Sequence, residues 1–195
     1  MRWLTLYARS RQVPASFAAV VISAMAVWAL APDGDAGPGD PRLPTLALAA
    51  GVTAASIGLG GQDLALDRTA AIRWAPRRAV HVLLIGTVVT AVLLAVLLAV
   101  RTAGEDLATT AFVVRNCAGL TGLCAVGATV CGAQYAWTPP ITWLALSLFA
   151  PPPTGVPTQV VGWMLLPPGT ATGTWTALVL TVTGTAAYAV AGPRP

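Results

Sequence analysis

From Ala79 to Val100 the chain runs for 22 residues on Leu, Val, Ile, Ala, Gly and Thr, with His81 its single strongly polar side chain. At 1.5 Å per residue a helix of that length is about 33 Å long, enough to cross a hydrocarbon core of about 30 Å. Inside lipid every backbone N–H and C=O must find a partner within the protein, so such a run has to be helical. Composition agrees. Hydrophobic residues make up 56% of the 195 and charged residues only 9%, against about a quarter in soluble domains.

Taken in order, the remaining apolar runs predict an all-α, polytopic bundle of about six spans forming one transmembrane domain over residues 1–195. Residues 1–13 (Arg2, Arg9 and Arg11 among Trp3, Leu4, Leu6 and Tyr7) form a basic, aromatic segment suited to the membrane surface. A cleaved signal peptide is the weaker reading, because the following run is long for an h-region. The first span is expected over Pro14–Ala31 and the second over Leu43–Gly61, with a Pro/Gly/Asp turn between them. The third is the opening run. Leu107–Trp137 is helix-compatible over about 31 residues, too long for one straight crossing, so its membrane part is set at Cys117–Ala136. Two short apolar pieces, Ile141–Ala150 and Val160–Leu166, are separated by Pro151, Pro152, Pro153 and Pro157. They read as a fifth span interrupted by prolines. Thr170–Ala191 is the last.

Residues 62–81 (QDLALDRTAAIRWAPRRAVH) are the most charged stretch. They read as a cytoplasmic loop holding a short helix, with Asp67 at its start, Arg73 near its end and Pro76 stopping it. Arginine counts set the orientation. Arg2, Arg9, Arg11, Arg68, Arg73, Arg77, Arg78 and Arg194 fall on one side; Arg42, Arg101 and Arg115 fall on the other. Both termini and the 62–81 loop are therefore expected in the cytoplasm of a bacterial cell, with the protein in its cytoplasmic membrane. The net charge of +4 is explained by this asymmetry and does not call for nucleic acid.

All eleven basic residues are arginine. A P-loop needs a lysine to reach its phosphates, so any ATP-driven work must enter through a partner. No Ser/His/Asp or Cys/His set can be assembled around His81, the lone histidine, which reads as interfacial. An enzyme is not expected, and neither a cofactor nor a metal site is called. Cys117, Cys124 and Cys131 recur every seven residues, about 10.5 Å apart along a helix. That is too far for a disulfide, and small apolar packing residues are the plainer reading.

Beside them Ala118, Gly122, Ala125, Thr129, Gly132 and Ala136 form a stripe of small residues. In lipid such a face packs closely against another helix, in the same chain or in a second subunit. Arg115 either snorkels from the interface or gives a polar lining with Asn116 and with Glu105 or Asp106. Trp137, Trp143, Trp163 and Trp175 flank the proline-rich region as interface anchors.

This layout, with Leu66–His81 (LDRTAAIRWAPRRAVH), Arg115–Leu123 (RNCAGLTGL) and Ala136–Pro140 (AWTPP), resembles the membrane-spanning permease subunits of type-2 ABC transporters (the ABC-2 membrane family), in their small actinobacterial form. The resemblance implies a half-transporter, an exporter that pairs with a second permease subunit as a homo- or heterodimer. It also implies a separate cytoplasmic ATPase docking on the 62–81 loop through Asp67, Arg68, Arg73, Trp74, Arg77 and Arg78. Two other readings stay open. The loop's arginines would equally hold anionic lipid headgroups, and the whole chain would equally serve as a non-transporting membrane scaffold.

Overall fold

The computed structural model describes residues 40–59, 74–102 and 108–194. The expected first span and the basic segment before it lie outside these residues, as do Asp67, Arg68, Arg73, Glu105 and Asp106. The described elements are all helical: α1 Arg42–Ala55 with a 3-10 turn Ser56–Leu59, α2 Trp74–Thr102, α3 Thr110–Val130, α4 Thr138–Phe149, α5 Val156–Val161 and α6 Ala171–Ala191. Four stretches are long and apolar enough to cross a membrane: Arg42–Leu59, Trp74–Val96, Thr110–Val130 and Ala171–Ala191. That is the make-up of a multi-pass membrane protein.

α3 is the centre of the bundle, with 15 of its 21 residues buried. α2 is the opposite. It buries Val82, Val89 and Leu93 on one stripe and turns Val80, Leu83, Leu84, Val88 and Leu98 outward. α6 likewise exposes Trp175, Leu178, Val179, Val182 and Val190 while burying Gly173, Ala177, Gly184 and Tyr188. Exposed apolar surface of that extent needs a non-aqueous neighbour, and lipid supplies one.

Side-chain bonds give each helix its direction. At one end Thr45 of α1 donates to the Met164 carbonyl at 3.4 Å, and Arg115 of α3 donates to Leu166 and Pro167 just before α6 begins. At the other end the Tyr188 hydroxyl donates to the Leu59 carbonyl at 2.7 Å, and the Arg194 amide donates to Ala128 at 3.0 Å. α1, α3 and α6 therefore run the same way, and α2, whose His81 meets Gly58, runs back. The segment joining α3 to α6 must return from one end to the other. α4 makes the first part of that return. Its 12 residues are about 18 Å, short of a crossing. α5 and a 3-10 turn Trp163–Leu165 complete it. Val161 at the end of α5 is tied to α4 by the Trp143 indole N–H (3.0 Å) and the Ser147 hydroxyl (2.7 Å).

Two expectations are corrected. Pro76 does not stop a helix. It is the third residue of α2, in the first turn, where a missing N–H is one of the four that have no helical partner anyway. Residues 74–81 are thus the start of the spanning helix rather than part of a loop. α3 also ends at Val130 rather than reaching Trp137. Gly132 takes φ 104°, a conformation that favours glycine, and the chain turns into α4 through Pro139 and Pro140.

Candidate functional site

The small-residue stripe of α3 is split by that turn. Ala118, Gly122, Ala125 and Thr129 remain on the helix; Gly132 and Ala136 are buried in the bend after it. The part on α3 packs within the chain. A β-carbon on Gly122 would strike the Leu180 carbonyl, and one on Gly184 would strike the Gly122 carbonyl. This is the close approach that glycines permit in lipid. The matching spacing on α6 (Gly173, Ala177, Gly184) is the signal that sequence reading passed over.

Arg115 is only 8% exposed. Its Nη2 donates to the Leu166 carbonyl at 2.6 Å, its Nη1 to Pro167 at 2.9 Å and its Nε to Asn116 Oδ1 at 3.3 Å. Asn116 Nδ2 donates in turn to Met164 at 2.9 Å, and the guanidinium lies 5.4 Å from the Phe112 ring. Two adjacent side chains thus hold three carbonyls of the stretch before α6. Trp163, expected as an interface anchor, is fully buried with its ring against Gly119. Trp137 and Trp175 are exposed.

Ala118 faces something different. Together α2, α3 and α6 bound a side groove of about 380 Å³, lined by residues that include Gly86, Thr87, Thr90, Ala118, Thr121, Thr181 and Thr185. Four hydroxyls are already committed. Thr87 donates to Leu83, Thr90 to Gly86, Thr121 to Cys117 and Thr181 to Ala177, at 2.7–2.8 Å. Each keeps oxygen lone pairs as acceptors. The Thr185 Oγ1 is buried without a partner among the described residues. With apolar walls (Val82, Leu83, Leu94, Val114), the groove suits a neutral, largely apolar molecule carrying a hydroxyl or amide donor.

The remaining predicted residues gather at the end where α2 starts. Arg77 lies 5.9 Å from the Trp74 ring, and Arg78 rests on Gly192 beyond α6. His81 is half-buried, its Nε2 3.1 Å from the Gly58 carbonyl, so that nitrogen carries the hydrogen. With Tyr188 on Leu59, it satisfies carbonyls that the end of a helix leaves unpaired. Cys117 and Cys124 are buried in α3 and Cys131 is exposed. Among the described residues, no three His, Cys, Asp or Glu side chains stand close enough to hold a metal ion.

No family model, no curated protein and no solved structure matches this chain.

Proposed function

We propose that the chain is the membrane-spanning permease subunit of an ATP-driven exporter, working in the bacterial cytoplasmic membrane with a separate ATPase subunit and a second permease copy. The observation that carries this reading is the side groove between α2, α3 and α6. It opens between spanning helices and holds uncharged hydroxyl acceptors, so it offers a membrane-soluble substrate a place to leave lipid. Two features of the chain path support the topology. α3 and α6 point the same way, which supports reading residues 138–168 as a fifth, proline-interrupted return. The contact of Arg78 with Gly192 supports placing the C-terminus beside the 62–81 region, on the cytoplasmic side. With the first span at Pro14–Ala31, that gives six crossings.

Residues 62–73 are the docking surface for the ATPase. Co-purification of the full chain with a tagged candidate ATP-binding-cassette protein tests this directly. A complex lost on Arg68→Glu and Arg73→Glu supports docking there; a complex indifferent to both removes it. A scaffold is the second reading, favoured by the interior around Arg115, where the guanidinium is engaged by the protein's own carbonyls. Under that reading reconstituted chain and ATPase bind each other but move no groove ligand.

A further inference from the structure

The start of α2 and the ends of α3 and α6 meet at one point of the bundle. Three arginines belong to that end: Arg77 and Arg78 in the first turns of α2, and Arg194 just past α6. Arg194 is pinned at that point, its amide on Ala128 (3.0 Å) and its Nη1 on Val130 (3.1 Å) at the C-terminal end of α3. Arg78 lies flat over Gly192, whose φ of 71° leaves no room for a β-carbon under the guanidinium. Arg77 is exposed, with the Trp74 ring beside it.

A plain electrostatic role accounts for part of this. Arg78 and Arg194 sit at the negative ends of α6 and α3, where a cation is favourable. It does not account for the surplus of donors. Among the described residues neither Arg77 nor Arg78 has a hydrogen-bond acceptor. Trp74 Nε1 and Arg78 Nε, one helical turn apart, are shielded from water and equally lack one. The only carboxylate among the described residues is Asp40, which caps the start of α1 by accepting from the Arg42 amide at 2.9 Å, at the opposite end of the bundle. Nothing among these residues neutralises the cluster.

α2 has 29 residues, about 43 Å, more than the hydrocarbon core of about 30 Å. That length lets the end bearing Trp74, Arg77 and Arg78 reach the headgroup layer, the level that tryptophan and arginine favour.

We propose that Arg77, Arg78 and Arg194, with Trp74 beside them, form a binding site for the phosphate headgroup of an anionic phospholipid. A guanidinium fork matches phosphate oxygens two at a time. The indole packs against the glycerol and upper acyl region. The assignment is independent of the transport reading, since it concerns a lipid of the surrounding leaflet and not a substrate or an ATPase.

The test uses the purified full chain in nanodiscs of equal phosphatidylglycerol and phosphatidylcholine, with native mass spectrometry reading the lipid retained. Each arginine near an anionic surface contributes about fivefold, so three favour phosphatidylglycerol by about a hundredfold. Arg77→Gln alone, at an exposed position with no hydrogen bond to lose, lowers the preference about fivefold. The triple glutamine variant abolishes it, and the triple lysine variant, which keeps the charge, retains most of it. A wild-type chain without the preference overturns the site. So does a monodisperse triple glutamine variant that keeps it. Displacement of the lipid by millimolar inorganic phosphate, or a co-purifying protein covering these arginines in place of lipid, overturns it as well.

Discussion

Gly122 of α3 and Gly184 of α6 meet backbone to backbone, so that a β-carbon on Gly184 would overlap the Gly122 carbonyl. The obstacle is main chain, which cannot swing aside as a side chain would. Overpacking of a tight core usually costs about 1–3 kcal/mol, and here the upper part of that range applies. Gly184→Ala should lower the melting midpoint of the detergent-solubilised chain clearly, and Gly184→Leu should abolish monodisperse protein. Gly58→Ala is the control, because its nearest neighbour is Ile85 Cδ1 at 3.6 Å. Equal melting for Gly184→Ala and Gly58→Ala would remove the crossing from the fold.

The clamp formed by Arg115 makes a second prediction. Arg115→Leu deprives the Leu166 and Pro167 carbonyls of their donor, and hydrogen bonds to charged groups contribute about 1.5–3 kcal/mol each. Arg115→Lys keeps the charge but not the fork, so one carbonyl stays unpaired and an intermediate loss follows. The expected order of thermal midpoints is wild type, then lysine, then leucine, with faster proteolysis between residues 150 and 170 in the leucine variant. A leucine variant as stable as wild type would show that the two carbonyls need no such partner.

How much of this was legible in the sequence follows from where each signal lies. The expected last span, Thr170–Ala191, and the observed α6, Ala171–Ala191, nearly coincide, because a long apolar run between Pro/Gly turns has one outcome in lipid. Leu43–Gly61 against Arg42–Leu59 is the same case. The end of α3 was hidden, since Gly132 lies in a run that a helix tolerates and only its φ shows the turn. Pro76 was misread because proline suits the first turn of a helix as well as the residue after one. The role of Arg115 could not be read locally at all. Its acceptors lie 51 and 52 residues away, and no periodicity encodes a contact with backbone carbonyls. The stripe on α3 correctly signalled a helix contact, but only the partner Gly184 shows that the contact lies within the chain.

Tyr188 tests the end of the bundle. Its hydroxyl donates to the Leu59 carbonyl at 2.7 Å in a buried setting. Tyr188→Phe removes the donor while keeping the ring, and an unsatisfied buried group costs about 1–3 kcal/mol. Leu59 is also the last described residue before the 60–73 segment. The variant should therefore show both a lower midpoint and faster amide exchange from residue 56 to residue 59. Exchange unchanged there would mean that the turn is held without this bond.

Thr185 separates folding from function. Its hydroxyl is buried at the edge of the groove with no partner among the described residues. In Thr185→Val a methyl replaces that hydroxyl at nearly equal size, and removing an unsatisfied polar atom is neutral or stabilising. The melting midpoint should hold or rise. If a donor-bearing substrate opens the groove onto Thr185, the same change lowers transport by the chain reconstituted with its ATPase, because the acceptor is gone. Thr183→Val is the matched control. Its hydroxyl is on the exposed face of α6 and donates to Val179 at 2.6 Å, away from the groove. Loss of transport in Thr185→Val alone, at undiminished stability, ties the activity to the groove. Equal transport in both variants would leave the groove a packing defect between three helices and move the weight to the scaffold reading.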